Sequence, residues 1–296
     1  MSARIFVAGA TGVLGRRLVP ALVAAGHSVT ANVRDEVSRG AAESAGAETT
    51  TVDLFDPERT AELGADHDVI INVATAIPSG VRALRPSGWS MNDRLRAEAS
   101  VHLAEAASRH GRRYIGESIT FPYIDRGDEW IGEEVERTHF AGNATVVDAE
   151  SAAASVTAAG GVGIVLRFAM FFADDSAHVD TYRALARRGI CGLTGEPDAW
   201  ISFVHVEDAA EAVVAALDAP PGTYNVAEPD PATRRAHSAA LARSVGRRRL
   251  RGVPARAVRW GGAALDSVSR SHRISSASLS AVTGWEPTTR VVGAWR

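Results

Sequence analysis

Three glycines spaced three residues apart separate a short apolar run from a helix-like pattern near the start of the chain. The apolar run covers residues 5–8, and the glycines are Gly9, Gly12 and Gly15. Glycine lets the backbone turn sharply and approach a ligand without an intervening side chain. The first N–H groups of the following helix, with the positive end of its dipole, favour a phosphate. The segment therefore predicts a strand, a phosphate-binding turn and a helix.

The alternation of strand and helix patterns continues over the first two thirds of the chain. The fourth predicted strand is apolar along its centre, which is typical of a strand buried on both faces. This alternation predicts an α/β fold, a Rossmann doubly wound parallel sheet with helices on both faces. The predicted strands cover residues 5–8, 28–33, 47–52, 68–74, 113–117 and 163–168.

The pattern changes after Phe168, where strand candidates become short and the connections irregular. We predict a nucleotide-binding Rossmann domain over residues 1–168, joined by later strands from about 200–228. Residues 169–296 are expected to form a smaller substrate-binding cap. The segment 125–136 is acidic and rich in chain breakers, which predicts a mobile surface loop or lid.

Composition limits the classes of function. All 32 basic residues are arginine, the formal charge is −3, and 46% of the residues are hydrophobic. These values favour an ordinary soluble protein that acts on a small molecule, with no nucleic-acid partner and no membrane partner. The single Cys191 argues against a disulfide framework and fits a reducing cytoplasm. The nine histidines lack ligand spacing, so no metal site is predicted.

The end of the second strand indicates which dinucleotide the turn would hold. A ribose 2′-phosphate prefers arginine at this place, whereas a free 2′-hydroxyl prefers a carboxylate. Arg34 stands there, and its planar guanidinium suits a phosphate. We therefore predict NADP(H). NAD(H) remains the less favoured alternative, because Asp35 follows directly.

The segment 7–15 resembles the fingerprint of extended and atypical short-chain dehydrogenases/reductases, and the likeness covers nearly the whole chain. The motifs 72–75, 92–96, 202–209, 224–226 and 284–287 also match that family in place. The resemblance implies a homodimer through paired helices. It also implies that the cofactor is bound by Gly9, Thr11, Gly12, Val13, Leu14, Gly15, Arg34, Asp53, Leu54, Ala74, Thr75, Ser118, Arg167 and Phe168.

The family's Tyr-x-x-x-Lys pair has no counterpart in this sequence. Glu150 matches the acidic residue that follows the pair, which puts Gly142 and Val146 at the tyrosine and lysine positions. No lysine exists elsewhere in the chain to replace it. A tyrosine near its reference pKa of about 10 is a poor proton donor and acceptor at neutral pH. The proton chemistry must therefore be done differently, or be absent.

The exit of the fifth strand offers substitute groups. Residues 116–123 resemble the family's serine-rich loop, which implies that Ser118 and Thr120 lie where a substrate oxygen would sit and that Tyr123 is close by. His178 follows a segment that contacts substrate in relatives. We predict these four residues as the catalytic set. Purely structural roles remain open, namely a backbone cap for Ser118, packing for Tyr123 and a surface position for His178.

The resemblance implies an NADPH-dependent ketoreductase that acts without the Tyr/Lys pair. A small aromatic polyketide-like ketone with its own phenol would activate itself, as in angucyclinone-type reductases of antibiotic biosynthesis. Two alternatives remain open. One is a non-catalytic NADP-binding sensor or scaffold, and the other is a sugar-nucleotide epimerase or dehydratase, which would need a strong base.

Overall fold

The computed structural model describes residues 2–78, 85–140, 143–252 and 262–296. Within these ranges the chain alternates between strands and helices up to residue 168, as the sequence predicts. The strands are β1 (Arg4–Ala8), β2 (Ser28–Asn32), β3 (Glu48–Thr50), β4 (Val69–Asn72), β5 (Arg113–Ile119), β6 (Trp130–Ile131), β7 (Val162–Phe168), β8 (Met170–Phe172), β9 (Trp200–Ile201), β10 (Phe203–His205), β11 (Gly222–Val226), β12 (Ala232–Thr233) and β13 (Arg273–Ile274).

Twelve α-helices lie in the described ranges, and a π-helical turn, residues 95–99, joins α5 directly to α6. A 3₁₀ turn covers Val291–Gly293. The helices are α1 (Gly15–Ala24), α2 (Glu36–Ser44), α3 (Pro57–Ala61), α4 (Leu63–Asp66), α5 (Pro86–Arg94), α6 (Ser100–Arg109), α7 (Val146–Ala158), α8 (Ala177–Arg187), α9 (Val206–Ala215), α10 (Arg234–Ser244), α11 (Gly262–Ser269) and α12 (Ala277–Thr283).

Seven parallel strands form the central sheet in the order β11-β7-β5-β4-β1-β2-β3. Alternate residues of each strand face opposite helix layers. Val7 and Ile115 pack in the layer that contains α1 and α9, whereas Phe6 and Tyr114 pack in the layer that contains α6 and α7. The prediction of a doubly wound parallel sheet is confirmed.

The later strands join the sheet only in part. β11 extends it beside β7, as expected for the end of the segment 200–228. β9 and β10 do not join it: β9 pairs with β12, and β10 pairs with β8. Aromatic side chains pack beneath these short pairs, with the Trp295 ring 4.9 Å from the ring of Phe172. The boundary at residue 168 stays a prediction.

The segment 125–136 differs from its prediction. It contains β6, which pairs in parallel with β13. In that pair Trp130 lies opposite Arg273. The guanidinium of Arg273 lies 4.2 Å from the ring centres of both Trp130 and Trp200, an arrangement that favours cation–π attraction. Asp125 also accepts a hydrogen bond from the Ser271 backbone N–H at 2.8 Å. The prediction of a mobile surface loop or lid overlooked this pairing with residues about 140 positions away. The mobility of the segment stays a prediction.

The described part of the chain contains no helix that is long and apolar enough to cross a membrane. The same residues include no group of three or more His, Cys, Asp or Glu side chains placed to hold a metal ion. Cys191 is a buried free thiol in the same apolar cluster as Phe172 and Trp295.

The buried Glu228 side chain links two distant segments of the chain by hydrogen bonds to their backbones. Its carboxyl oxygens accept hydrogen bonds from the backbone N–H groups of Phe203, at 3.0 Å, and Val291, at 2.7 Å. Burial raises the pKa of Glu228 to about 8. The folded protein therefore keeps a proton here that the unfolded chain releases near its reference pKa, about 4.3. This contribution to stability is full below that lower pKa and is lost as the pH rises through about 8.

We expect the Glu228→Gln variant to show a flatter pH dependence of stability. Glutamine does not titrate. The decline in the free energy of unfolding between pH 5 and pH 9 should therefore be smaller than in the unmodified protein by roughly 2–4 kcal/mol. Urea unfolding at several pH values measures it. Identical slopes for the two proteins would show that Glu228 titrates alike in the folded and unfolded states.

Candidate active site

The glycine turn packs directly against the end of β4. Gly9 has a φ of +83°, and a Cβ atom there would lie 2.6 Å from the backbone of Val73 and Ala74. A Cβ on Gly15 would lie 2.1 Å from the carbonyl oxygen of Gly9. The Gly12 N–H closes the turn by donating to that same oxygen at 3.1 Å. Only glycine fits these close approaches, which leave a bare backbone at the start of α1 that suits a diphosphate.

The other residues predicted to bind the cofactor around this turn follow β1, β3 and β4 at the same edge of the sheet. Leu14 and Leu54 are buried and support the turn and the segment after β3. Asp53 is exposed, and its carboxylate accepts a hydrogen bond from the Phe55 N–H at 3.0 Å. Accessible surface also remains on Thr11, Val13, Ala74 and Thr75. The edge therefore fits a dinucleotide, and the role of each residue stays a prediction.

Asp35 caps the start of a helix in the protein itself. Its carboxylate accepts a hydrogen bond from the Ser38 N–H at 2.8 Å and caps α2. This backbone hydrogen bond, with Arg34 as a weaker influence, lowers the pKa of Asp35. Arg34 is exposed at the end of β2. The cap thus explains why a carboxylate follows Arg34 without requiring that it bind a ribose.

Ser118 belongs to a largely buried network of charged side chains centred on Glu150. The Ser118 hydroxyl donates to Glu150 Oε1 at 2.6 Å. Arg167 binds both carboxylate oxygens, at 2.9 Å through Nε and at 2.8 Å through Nη2. Arg137 donates to Oε1 at 2.7 Å. Ser118 and Arg167 are therefore brought together, as neighbours in the β5–β7 register, but the Ser118 proton is directed to Glu150.

Glu150 is held in its charged form by this network. Burial alone would raise the pKa of Glu150, but the hydrogen bonds and charges of Arg167, Ser118 and Arg137 outweigh it and keep the pKa below its usual value. A carboxylate stabilised in this way is a weak base. The network therefore positions the ends of β5, β7 and α7, and it offers no strong base.

Tyr123 lies at the other end of the same network. Its hydroxyl accepts a hydrogen bond from Arg167 Nη1 at 2.8 Å and donates to Asn225 Oδ1 at 2.9 Å. The side chain is fully buried. Burial raises the pKa of Tyr123, and the charge of Arg167 opposes that rise. The packing role that the sequence left open is observed, and a catalytic role stays a prediction.

Thr120 and His178 are held by carbonyl oxygens of neighbouring strands. The Thr120 hydroxyl donates to the oxygen of Phe168 at 3.4 Å, and His178 Nε2 donates to the oxygen of Phe171 at 2.5 Å. Burial lowers the pKa of His178, so its neutral form is favoured. Phe168 is buried beside Phe171, with 5.2 Å between ring centres. His178 lies in the first turn of α8 and is not part of the Ser118 network. Its catalytic role stays a prediction.

The position assigned to the family's lysine is apolar. Val146 is buried at the start of α7, one turn before Glu150. Gly142, assigned to the tyrosine, lies outside the described residues.

Sequence reasoning missed a second buried ion pair at this edge. Arg96, in the π-helical turn, donates through Nη2 to both carboxylate oxygens of Glu117, at 3.3 and 3.4 Å. The two side chains are 5% and 7% exposed. Glu117 adjoins Ser118 in the loop motif, but nothing in the spacing links it to residue 96, because the contact crosses from β5 to a helix. Arg137 and Asn225 were missed for the same reason.

A model of the NAD dependent epimerase/dehydratase family matches residues 5–227. The chain belongs to this family. It is also 31% identical over 309 aligned positions, which cover 96% of both chains, to a "3-diazoavenalumate denitrifying reductase" of a Streptomyces species. These two findings establish an NAD(P)-dependent oxidoreductase of the short-chain dehydrogenase/reductase type.

Solved structures share the fold. A human epimerase family protein with NADPH superposes with a TM-score of 0.73 at 20% identity, covering 98% of this chain and 97% of that one. The UDP-glucuronic acid 4-epimerase of Bacillus cereus with NAD gives a TM-score of 0.75 at 14% identity, covering 99% and 96%. These likenesses show the fold alone. The family match supports a nicotinamide cofactor without a choice between NAD and NADP.

Proposed function

We propose that this protein is a reductase that directs a hydride to an aromatic substrate whose reduction needs no proton from a Tyr/Lys pair. The observation that carries the proposal is the lysine-free chain, with buried Val146 where the family's lysine is expected. The nearby hydroxyls already donate to other side chains, Ser118 to Glu150 and Tyr123 to Asn225, which favours a substrate that needs neither as an acid. Hydride acceptors that need an acid from the protein are therefore disfavoured.

Reduction of an aromatic diazo compound meets this condition best. A bound reduced nicotinamide supplies a hydride, and an arenediazonium ion that accepts it becomes an arene and releases N₂ without taking up a proton. The Streptomyces relative, a denitrifying reductase of a diazo compound by its name, favours this substrate class. The glycine turn and the edge of the sheet would position the cofactor over the ends of β4 and β5.

A ketone of an aromatic polyketide is the second candidate. Its carbonyl oxygen must gain a proton as the carbon gains the hydride, and an adjacent phenol on the substrate would supply it. The lysine-free site again favours such a self-activating substrate. The epimerase alternative is disfavoured, because Glu150 is held as a weak base by Arg137 and Arg167.

Assays of cofactor oxidation test the proposal. Purified protein is incubated with NADPH or NADH and either an ortho-hydroxyarenediazonium salt or a panel of hydroxylated aryl ketones. We expect deuterium from [4-²H]NADPH on a ring carbon, with N₂ release, for the diazo class. A Gly15→Ala variant controls for reduction in solution. Absence of enzyme-dependent oxidation with every acceptor would contradict the proposal.

We further propose that NADPH is preferred over NADH, since Arg34 is exposed at the end of β2 while Asp35 is used as a cap. An Arg34→Ala variant should bind NADPH roughly 10-fold more weakly, a typical loss for one charge-assisted contact. Its affinity for NADH should stay unchanged. Fluorescence titration measures both, with exposed Arg109→Ala as the matched control. An equal effect on the two dinucleotides would contradict the assignment.

A further inference from the structure

Three buried side-chain N–H groups near the π-helical turn lack acceptors among the described residues. They are Asn92 Nδ2, Arg96 Nε and Asn143 Nδ2. The three residues are only 0%, 4% and 4% exposed, respectively. An unpaired buried donor is costly, and each such group in a folded protein needs an explanation. Three of them on neighbouring elements indicate an acceptor that belongs in the site.

Local contacts place the elements that carry these donors next to one another. Asn92 and Arg96 are one turn apart on the same helix, and Asn92 Oδ1 accepts a hydrogen bond from the Ala76 N–H at 3.1 Å, in the segment after β4. The Thr145 hydroxyl donates to Asp93 Oδ1 at 3.2 Å. This bond holds the segment before α7, which carries Asn143, against the helix that carries the other two donors.

The cluster lies at the same edge of the sheet as the glycine turn. In the sheet register, Asn72 of β4 pairs with Ala8 on one side and with Gly116 on the other. The next residues along β1 and β5 are Gly9 and Glu117. Arg96 reaches Glu117 and Asn92 reaches the segment after β4, so both lie over the strand ends where ligands of such sheets bind.

Arg96 differs from the other buried arginines of this site. Arg167 uses all three guanidinium nitrogens, on Glu150, Tyr123 and a carbonyl oxygen. Arg96 donates to Glu117 through Nη2, and its Nε has no hydrogen-bond acceptor among the described residues. A buried ion pair is weak evidence for a stabilising role, and π-helical turns are frequent at functional sites. These features point to ligand binding by Arg96.

We propose that Arg96, with Asn92 and Asn143, binds a phenolate oxygen of the substrate next to the carbon that receives the hydride. This inference rests on the proposed function and narrows its substrates to ortho-hydroxylated aromatics. A guanidinium and two amide donors in a water-poor site stabilise negative charge on oxygen. They would hold the ring by that oxygen beside a diazonium group. Beside a carbonyl group, the bound phenol would give its proton to the carbonyl oxygen as the hydride arrives, and the three donors would stabilise the phenolate that remains.

Binding of two matched probes tests the inference without relying on turnover. The probes are 2-hydroxy-1-naphthaldehyde and its methyl ether, 2-methoxy-1-naphthaldehyde, titrated into NADP⁺-saturated protein at pH 8. The unmodified protein should prefer the phenol by at least about 10-fold, the usual effect of a charge-assisted hydrogen bond. Arg96→Met should abolish that preference, and the exposed control Arg109→Met should retain it.

Removal of Arg96 leaves Glu117 buried without its partner, so folding needs a check. If circular dichroism shows that Arg96→Met is unfolded, the double variant Arg96→Met/Glu117→Met removes both charges and is used for the same comparison. Equal or absent binding of the probes by the unmodified protein would overturn the inference, as would a preference that survives the loss of Arg96. The cofactor-oxidation assays judge the proposed function separately.

Discussion

A Gly15→Ala variant should bind reduced nicotinamide nucleotides roughly 5- to 150-fold more weakly than the unmodified protein. The added Cβ would lie 2.1 Å from the Gly9 carbonyl oxygen, so the glycine turn must move away from α1. Overpacking of this kind costs about 1–3 kcal/mol, which corresponds to that loss of affinity. Calorimetric titration with NADPH and NADH measures the effect.

Gly40→Ala is the matched control for this prediction. Gly40 lies within α2, and a Cβ there meets no atom within 4 Å. Alanine at that position should leave cofactor binding unchanged and stabilise the helix by about 0.5–1 kcal/mol. Normal binding by a folded Gly15→Ala variant would show that the cofactor does not rest on this turn.

Loss of the Glu150 carboxylate should be the most destabilising substitution in the site. Glu150→Ala leaves Arg167, whose side chain is 7% exposed, without its ionic partner. Removing one member of a buried ion pair typically costs about 3–5 kcal/mol. Urea unfolding followed by circular dichroism measures the change in the free energy of unfolding.

The double variant Glu150→Met/Arg167→Met separates charge from packing. Both charges of the bidentate pair are removed, and Arg137 is 21% exposed and can turn to solvent. We expect the double variant to be more stable than Glu150→Ala, because a buried pair and apolar residues of similar volume are often equivalent. A loss below about 1 kcal/mol in Glu150→Ala would mean that water already screens the network.

Features encoded in neighbouring residues were predictable from the sequence. The glycine turn follows from Gly9, Gly12 and Gly15 beside an apolar run, and the central sheet follows from alternating strand and helix patterns. Each of these signals is contained in a few residues of chain. Local patterns therefore predicted the fold and the edge where a cofactor would bind.

Contacts between distant segments were not predictable in this way. Ser118 and Arg167 meet Glu150 across 32 and 17 residues, and only the β5–β7 register and the placement of α7 bring them together. The segment 125–136 is polar, yet Trp130 pairs with Arg273 in a two-stranded sheet. The acidic and chain-breaking residues of a segment indicate that it is exposed to solvent. They do not indicate which distant strand the segment pairs with.

The affinity of the unmodified chain for reduced nicotinamide nucleotides tests the central claim most directly. Isothermal titration with NADPH and with NADH should give saturable binding of one dinucleotide per chain, with NADPH bound more tightly. Heat signals equal to buffer dilution for both nucleotides would contradict a dinucleotide on the glycine turn, and the proposed reduction would then have no source of hydride.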